Sequence, residues 1–226
     1  MKVMLLAAGK GTRMRELTQR TPKPLLQAGG RSLIEHQLRK LRAAGFDDIV
    51  INHAWLGAQL EAALGDGAAL DLHITWSREG EPLETAGGIA HALPLLGSEP
   101  FALVNADVWT AYDFARLRGA LARKDQLHIV LVPNPPQHPQ GDFGLTPAGR
   151  LTPSNAPAPS YTYSGIGVFR PQLFQNLPRE KYPLLPILER CIAEGSASAS
   201  LYEGDWQDIG TPERLAALDA CLRAAS

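Results

Sequence analysis

A glycine-rich stretch, Leu6-Ala7-Ala8-Gly9-Lys10-Gly11-Thr12-Arg13-Met14, comes at the end of a short apolar run near the start of the chain. A second stretch, Thr21-Pro22-Lys23-Pro24-Leu25, follows soon after it. Glycines at the end of a strand let backbone N–H groups approach a polyphosphate, and Arg13 and Lys23 add positive charge. The two stretches therefore predict that the first strand of the fold ends in a phosphate-binding loop.

Two common phosphate loops do not match this sequence. A dinucleotide-binding fingerprint needs a third glycine where Met14 stands, and a Walker loop needs Ser or Thr after its lysine, whereas Lys10 is followed by Gly11. A simpler alternative is that Gly9 and Gly11 only form a tight turn and that the nearby cations are solvated. For an isolated glycine pair that alternative would be preferred. The length of the whole string, which includes Arg13 and Lys23, therefore decides between a phosphate loop and a simple turn.

Short apolar runs alternate with segments of helical periodicity, which predicts an α/β fold. We expect a Rossmann-like three-layer sandwich around a mostly parallel, mixed sheet. The predicted strands cover residues 3–7, 49–52, 70–76, 101–105, 127–132, 161–169 and 200–202. Helices are predicted over residues 54–64, 85–96, 113–124 and 184–194, with another between Ser32 and Gly45 and a last one from Thr211-Pro212.

A proline-rich segment, residues 133–159, interrupts this alternation. Proline and glycine at this density disfavour a helix, so the two short strand candidates at residues 143–145 and 150–151 predict a β-hairpin insertion. Long loops in compact domains are usually functional or disordered, and this one is expected beside the functional site.

Composition excludes several classes of protein. The chain has 226 residues, 45% of them hydrophobic, and 22 Lys and Arg balance 23 Asp and Glu, so no global field favours nucleic acid or an anionic membrane. The first apolar run is too short for a secretory signal, and no stretch is long enough to span a membrane. Cys191 and Cys221 lie at apolar helix positions without metal-ligand spacing. We therefore expect a cytoplasmic protein with one domain over residues 1–226, no nucleic-acid partner and no membrane partner.

Five motifs together resemble the sugar-1-phosphate nucleotidylyltransferase family, and they extend over nearly the whole chain. Residues 6–13 and 22–25 match the family signature Leu-Ala-Ala-Gly-x-Gly-Thr-Arg followed by Pro-Lys-Pro-Leu. The later motifs are Glu81-Pro82-Leu83-Glu84-Thr85-Ala86-Gly87-Gly88, Asn105-Ala106-Asp107-Val108, Asp142-Phe143-Gly144 and Trp206-Gln207-Asp208-Ile209-Gly210-Thr211-Pro212. The resemblance implies a nucleotidyltransferase fold of the GT-A-like type, here as a single catalytic domain. It also implies transfer of a nucleoside monophosphate to a sugar 1-phosphate.

The resemblance also assigns residues to the nucleotide. It implies that Arg13 neutralises the leaving pyrophosphate and that Lys23 bridges the phosphates of the two substrates, so both are catalytic candidates. The candidate nucleotide-binding residues are Ala8, Gly9, Gly11, Thr12, Arg13, Lys23, Glu79, Leu83 and Thr85. Many relatives carry Leu-Gly-Thr where this chain has Leu83-Glu84-Thr85, so a glutamate replaces a glycine that usually approaches the base.

Carboxylates near the ends of strands predict a metal site. Asp107 follows an apolar strand, where α/β sheets place their ligands, and Mg²⁺ prefers one or two carboxylates together with phosphate oxygens. An aspartate that only caps the next turn is the simpler alternative. The resemblance favours Asp208 as the second magnesium ligand, and Asp205 competes with it. Asn105 lies two residues before Asp107, so strand alternation puts both side chains on one face. Asn105 is therefore a candidate contact to the sugar or the ribose, and a purely structural hydrogen bond is the simpler alternative.

The family reaction is an in-line attack of a sugar-phosphate oxygen on the α-phosphorus of the triphosphate, without a covalent intermediate. Because the nucleophile is already an anion, no general base is needed, and none of the six histidines is assigned a catalytic role. Positioning and charge neutralisation by Mg²⁺, Arg13 and Lys23 are expected to carry catalysis.

The choice of sugar depends on the segment after the predicted hairpin. Many relatives carry Glu-Lys-Pro there, and this chain has Asn155-Ala156-Pro157. Loss of the acid removes repulsion against a sugar that bears a carboxylate, such as N-acetylmuramate, although the loop could also have drifted without consequence. The candidate sugar-phosphate residues are Asn105, Asp142, Gly144 and Asn155.

Three functions follow from these motifs. Among short relatives, the chain looks most like the N-acetylmuramate α-1-phosphate uridylyltransferases of cell-wall recycling, which use UTP. Residues 81–83 and the Thr-Ala-Gly after them also favour a mannose-1-phosphate or heptose-1-phosphate guanylyltransferase. The third function is a regulatory module that binds nucleotide sugars without turnover. It is disfavoured, because such a module has no need for two metal carboxylates.

Overall fold

The computed structural model describes residues 1–156, 158–178 and 180–224. Regular structure in these residues consists of strands and helices joined by loops and short 3₁₀ turns. The strands are β1 (Val3–Leu6), β2 (Gln27–Ala28), β3 (Arg31–Ser32), β4 (Asp48–His53), β5 (His73–Arg78), β6 (Phe101–Asn105), β7 (Val108–Thr110), β8 (Leu127–Val132), β9 (Phe143–Leu145), β10 (Leu151–Pro153), β11 (Ser160–Phe169), β12 (Ala197–Leu201) and β13 (Trp206–Asp208). The helices are α1 (Leu17–Arg20), α2 (Leu33–Ala43), α3 (Gly57–Leu64), α4 (Glu84–Leu96), α5 (Leu185–Ala193) and α6 (Pro212–Ala224).

A nine-stranded sheet forms the centre of the structure. Strand β1 lies between β4 and β6, with β5 outside β4, and these three pairings are parallel. Strands β8 and β12 form another parallel pair, and the long strand β11 joins β6 to β8 by antiparallel pairing. Strands β9 and β10 form the hairpin insertion, which pairs with the start of β11. The predicted mixed sheet with a hairpin insertion is confirmed.

Helices cover both faces of this sheet. Helices α4 and α5 pack on one face through a buried cluster that includes Ile89 and Ile187. Helices α2 and α3 pack on the other face through a second cluster that includes Leu38 and Leu60. Because the central strands are buried on both sides, their sequences are continuous apolar runs. The predicted three-layer architecture is therefore confirmed.

The helix predicted over residues 113–124 is wrong. The chain forms only a 3₁₀ turn there, Phe114–Leu117, after the Asp113 side chain accepts a hydrogen bond from the N–H of Ala115. Gly119 then has a φ of +82°, a left-handed conformation that ends helical geometry. The apolar side chains of Phe114 and Leu117 still reach the core, but they do so from this 3₁₀ turn and not from a helix.

The strand predicted over residues 70–76 starts later than expected. Residues Ala68–Leu70 form a 3₁₀ turn, and Asp71 has a left-handed φ of +54°. Strand β5 therefore begins at His73, beyond this turn. Apolar composition alone could not separate the turn from the strand.

Two predicted helix starts are confirmed by their caps. The Ser32 hydroxyl accepts a hydrogen bond from the N–H of Glu35 at the start of α2. The Thr211 hydroxyl accepts one from the N–H of Arg214 at the start of α6. Within the described part of the chain, no helix is long and apolar enough to cross a membrane.

A two-stranded antiparallel ribbon, β7 with β13, lies outside the main sheet. Strand β7 begins directly after Asp107, and Asp208 at the end of β13 pairs with Val108. The N–H of Ile209 donates to the carbonyl oxygen of Asp107 at 3.0 Å and continues this ladder. The ribbon thus brings two carboxylates that are far apart in sequence to the same end of the central sheet.

Candidate active site

A cleft with two lobes opens at the carboxyl ends of β1, β4 and β6, where α/β sheets bind their ligands. The first lobe, about 340 Å³, is lined by the glycine-rich loop and the start of α4. The second lobe, about 400 Å³, is lined by residues from the loop after β8, from β11 and from β13. Arg13, Asn105 and Asp107 line both lobes, so two ligands bound in the cleft would meet at these residues.

The glycine-rich loop forms one wall of the first lobe. Its predicted nucleotide-binding residues Ala8, Gly9, Gly11 and Thr12 all line the lobe. Gly11 has a φ of +62°, and a Cβ at this position would lie 3.0 Å from the Cβ of Lys23, so both conformation and space require glycine. The Thr18 hydroxyl donates to the Gly11 carbonyl at 3.0 Å. These contacts fix the conformation of the loop at the wall of the lobe.

Lys23 and Asp107 form a close ion pair at the centre of the cleft. Nζ of Lys23 lies 2.6 Å from Oδ2 of Asp107. The Lys23 side chain is only 8% exposed, whereas the Asp107 side chain is 33% exposed. A buried ammonium is costly unless a partner compensates its charge, and the carboxylate does so here.

Asp208 lies in the second lobe between two arginines. Nη1 of Arg214 donates to Oδ2 of Asp208 at 2.8 Å and to its backbone carbonyl at 2.9 Å. Nη1 of Arg13 lies 3.8 Å from the same carboxylate oxygen. Arg214 was not predicted from the sequence, and only its position in the first turn of α6, directly after the motif, could have indicated it.

Asp205, the competing metal candidate, lies on the exposed surface. Its backbone carbonyl accepts hydrogen bonds from the Thr110 hydroxyl at 2.8 Å and from the N–H of Ala111 at 2.9 Å. Asp205 is not among the described residues that line either lobe. It therefore holds the ribbon in place, and Asp208 is the aspartate that faces the cleft beside Asp107.

The carboxylates of Asp107 and Asp208 suit a hard cation such as Mg²⁺. Both line the second lobe, and the Asp208 side chain is 27% exposed. Mg²⁺ is usually held by one or two carboxylates that share it with water and phosphate oxygens. Among the described residues, no group of three or more His, Cys, Asp or Glu side chains could hold a metal. A metal held by these two aspartates would take its remaining ligands from water and from substrate oxygens.

Glu79 and Leu83 lie behind the first lobe and are not among the described residues that line it. Oε1 of Glu79 accepts from Nδ2 of Asn52 at 2.6 Å, and Oε2 accepts from the N–H of Leu83 at 3.0 Å. Oδ1 of Asn52 accepts from the N–H of Ala7 at 2.9 Å. This chain of bonds ties the glycine-rich loop to the turn before α4. Burial raises the pKa of Glu79 above its ordinary value, against the opposing effect of these hydrogen bonds.

Asn52 lines the first lobe but was not predicted from the sequence. It stands at the end of an apolar strand, as Asn105 does, and the same reasoning could have found it. Thr85, which is predicted to bind the nucleotide, lines the first lobe together with its neighbours Pro82 and Glu84. These residues form the end of the lobe that lies beside β4.

Asp142 lies behind the second lobe and orients two residues that line it. Its Oδ1 lies 2.9 Å from Nε2 of His138, and its Oδ2 accepts from the N–H of Tyr163 at 2.8 Å. His138 and Tyr163 both line the lobe. Asp142 therefore contributes to this lobe through its neighbours.

Gly144 and Asn155 are not among the described residues that line the cleft. Gly144 is buried in β9, where a Cβ would collide with the hydroxyl oxygen of Thr152. Asn155 is exposed in the turn after β10. The structure does not bring these two predicted sugar contacts to the site, because hairpin packing determines where they lie.

Comparison with known proteins agrees with this fold and cleft. A family model described as nucleotidyl transferase matches residues 2–223. The chain belongs to the nucleotidyl transferase family. This nucleotidyl transferase is 46% identical to the N-acetylmuramate alpha-1-phosphate uridylyltransferase of Neisseria meningitidis serogroup B, over 95% of each chain. It is 34% identical to the enzyme of the same name from Caulobacter vibrioides, over 98% of this chain and 97% of the relative.

Solved structures share the fold of this nucleotidyl transferase. A putative glucose-1-phosphate thymidylyltransferase from Bacillus anthracis superposes with a TM-score of 0.85. The superposition covers 99% of this chain and 95% of the other, at 20% sequence identity. At that identity the match supports the architecture alone.

Proposed function

We propose that this nucleotidyl transferase transfers UMP from UTP to N-acetylmuramate α-1-phosphate, giving UDP-N-acetylmuramate and pyrophosphate. The observation that carries this proposal is the 46% identity to the Neisseria uridylyltransferase over 95% of both chains. The two-lobed cleft supports it, since a nucleotide and a sugar phosphate can each occupy one lobe and meet at Asp107. We propose that residues 1–226 act as one catalytic domain in the cytoplasm, in cell-wall recycling.

In the proposed reaction, an oxygen of the sugar phosphate attacks the α-phosphorus of UTP, and the bond from that phosphorus to pyrophosphate breaks. The triphosphate lies against the glycine-rich loop, near Arg13 and Lys23. Because Lys23 is nearly buried, its charge acts on the phosphates with little screening by water. The attacking oxygen is already an anion, so the reaction needs positioned charges rather than a general base.

Asp107 and Asp208 would hold Mg²⁺ in this reaction, and the ion would neutralise and orient phosphate oxygens. Lys23 and Arg214 hold these two carboxylates in place through bonds of 2.6 and 2.8 Å. Arg13, which lines both lobes, can contact the phosphates of either substrate.

Recognition of an acidic sugar needs a donor in the second lobe. The predicted role of Asn155 has no support in the geometry, because Asn155 lies away from the cleft. Of the described side chains with ionisable groups that line this lobe, His138 alone is not assigned to phosphates, metal or a buried hydroxyl. Because Nε2 of His138 donates to the Asp142 carboxylate, Nδ1 donates to the sugar carboxylate when the imidazole carries a proton on both nitrogens.

The test is pyrophosphate release with Mg²⁺ across UTP, dTTP, GTP, CTP and ATP. Each nucleotide is combined with the 1-phosphates of N-acetylmuramate, N-acetylglucosamine, glucose and mannose. We expect the highest kcat/KM for UTP with N-acetylmuramate α-1-phosphate. A preference for GTP with mannose 1-phosphate would refute the proposed substrates while keeping the reaction class, and no turnover with any pair would refute the reaction class.

A further inference from the structure

Trp55, in the turn between β4 and α3, lies behind the glycine-rich loop. Its side chain is 40% exposed, so burial in the core accounts for only part of its placement. The indole lines an open cavity of about 450 Å³ outside the first lobe. Thr12 lines both this cavity and the first lobe, so the glycine-rich loop forms the wall between them. Trp55 therefore lies on the opposite side of this wall from the proposed nucleotide.

Two hydrogen bonds connect Trp55 to the glycine-rich loop through Thr18. The indole N–H of Trp55 donates to the carbonyl oxygen of Thr18 at 3.0 Å. The hydroxyl of Thr18 in turn donates to the carbonyl oxygen of Gly11 at 3.0 Å. Thr18 is only 4% exposed, so water is poorly placed to replace these bonds if one of them is lost. The position of the Gly11 carbonyl thus depends on a residue that follows a different strand.

The turn that carries Trp55 has a strained backbone. Leu56, the next residue, has a φ of +53°, which a leucine rarely adopts. At Gly57 a Cβ would collide with the imidazole of His53, so the turn also requires a glycine. Strain of this kind is retained where the surrounding structure or a function requires it. In this turn it accompanies the approach of the indole N–H to the Thr18 carbonyl.

We propose that Trp55 is a positioning residue for the triphosphate, because through Thr18 it holds Gly11 and the glycine-rich loop in the conformation that receives the phosphates. This inference rests on the proposed function only in placing a nucleoside triphosphate against the loop. A loop rich in glycine has many accessible conformations, and ordering it only when the ligand binds would weaken binding. The bonds through Thr18 order the loop before the nucleotide arrives.

This role predicts an effect on nucleotide binding that is separate from the chemical step. Neither Trp55 nor Thr18 is among the described residues that line the first lobe, so neither is expected to touch the reacting atoms. Loss of either bond should raise the dissociation constant and KM for UTP. The values of kcat and of KM for the sugar phosphate should change little. A purely structural role would instead lower Tm and leave the dissociation constant for UTP unchanged.

The experiment measures UTP binding by calorimetry, with Mg²⁺ and without sugar phosphate. Trp55→Phe keeps an aromatic ring and removes the N–H, and Thr18→Val keeps the shape of the side chain and removes the hydroxyl. We expect the dissociation constant for UTP to rise roughly three- to tenfold in each variant, as for the loss of one hydrogen bond. Thr18→Ser, which retains a hydroxyl, should bind UTP like the wild type. Combining Trp55→Phe with Thr18→Val should give no further rise, because the connection is already broken.

Trp76→Phe is the matched control. The indole N–H of Trp76 donates to the carbonyl oxygen of Gly65 at 2.9 Å, and neither residue is among the described residues that line the first lobe. This variant should keep the wild-type dissociation constant for UTP even if its Tm falls. An unchanged dissociation constant in Trp55→Phe or Thr18→Val would overturn the inference, and so would an equal rise in Trp76→Phe.

Binding by the wild-type protein separates this inference from the proposed substrates. A wild-type protein that binds GTP more tightly than UTP would refute UTP as the proposed substrate. The same variants titrated with GTP would then test the role of Trp55, because both nucleotides carry the phosphates that meet the loop. A wild-type protein that binds neither nucleotide would refute both the proposed function and the role of Trp55.

Discussion

Nζ of Lys23 lies 2.6 Å from Oδ2 of Asp107, and this pair joins the segment after the phosphate loop to the end of the central strand β6. The ammonium is almost completely buried, so its charge is available to phosphates in the cleft but hardly to solvent. The pair therefore fixes the ammonium of Lys23 against the carboxylate of Asp107, which lines both lobes.

Lys23→Met should keep the packing of the lysine stem and remove its charge. We expect kcat to fall by about 10²–10³-fold, the usual effect of removing one donor that stabilises transition-state charge, with a smaller change in KM for UTP. Steady-state kinetics measure both constants. Lys10→Met, in the preceding glycine-rich loop, is the matched control, because the Lys10 side chain is 52% exposed and its Nζ lies 3.8 Å from Oε2 of Glu81. A kcat for Lys23→Met equal to that of Lys10→Met would contradict the role of Lys23.

Asp208→Asn and Asp205→Asn should have opposite outcomes. Asp208 faces the cleft beside Asp107, so its loss should reduce turnover at least about 100-fold and raise the Mg²⁺ concentration needed for half-maximal rate. Asp205 acts through its backbone carbonyl, which asparagine retains, so Asp205→Asn should remain close to wild type. Initial rates measured over a range of Mg²⁺ concentrations distinguish Asp208 from Asp205 as the metal ligand. Loss of activity in Asp205→Asn with retention in Asp208→Asn would show that the metal assignment is wrong.

Glu79→Ala should weaken nucleotide binding without direct contact to the nucleotide. The change leaves the N–H of Leu83 and the amide of Asn52 without their acceptor, so the glycine-rich loop and the turn before α4 lose their connection. We expect KM for UTP to rise about tenfold while kcat changes less, because hydrogen bonds to a carboxylate contribute about 1.5–3 kcal/mol. Glu81→Ala, at an exposed position two residues later, serves as the control. Equal effects of the two substitutions on KM would contradict this positioning role.

His138→Ala should affect one sugar more than another. N-acetylmuramate α-1-phosphate and N-acetylglucosamine 1-phosphate differ by the lactyl group, so only the first should lose a contact with the imidazole. We expect KM for the muramate substrate to rise about tenfold and the ratio of the two kcat/KM values to fall accordingly. Asn155→Ala, in the exposed turn after β10, should leave this ratio unchanged. If Asn155→Ala changes the ratio and His138→Ala does not, the sequence-based prediction for Asn155 is restored.

Glu61 gives the fold a stability that depends on pH. Hydrogen bonds from Arg78, followed by the contact with His53, hold the pKa of Glu61 at about 2, below its ordinary value of 4.5. Because the pKa is lower in the folded protein, this stabilisation is complete above pH 4.5 and is lost as the pH falls toward 2. Glu61→Gln should therefore lower Tm at pH 7 and leave it nearly unchanged near pH 2. Thermal melts across this range test the sign, and an equal fall in Tm at both ends would contradict it.

The sequence predicted the fold and the centre of the cleft well, because strong local signals encode them. Apolar strands with glycine and aspartate at their ends specified β1, β6 and the residues Gly11 and Asp107. The helix over residues 113–124 failed because Gly119 adopts a left-handed conformation, which periodicity does not reveal. Helices and strands were therefore predicted correctly where an apolar pattern was accompanied by a residue that begins or ends the element. Where the pattern stood alone, the prediction failed.

The missed site residues depend on contacts between distant parts of the chain. Arg214 reaches Asp208 only after α6 docks beside the ribbon, and Asn52 reaches Ala7 across two paired strands. Conversely, Asn155 was placed at the sugar by its position in a motif, yet packing of the hairpin directs it to the surface. The position of a residue in a motif predicts whether it lies at the site when the motif is at the end of a strand. For loop residues, tertiary packing determines whether they lie at the site.

The most direct test of the proposed function is a competition reaction in one vessel. The purified protein, with Mg²⁺, receives equal concentrations of UTP and GTP together with the 1-phosphates of N-acetylmuramate, N-acetylglucosamine and mannose, and the products are identified by mass spectrometry at low conversion. We expect UDP-N-acetylmuramate as the main product. A GDP-sugar or UDP-N-acetylglucosamine as the main product would contradict the proposed substrates.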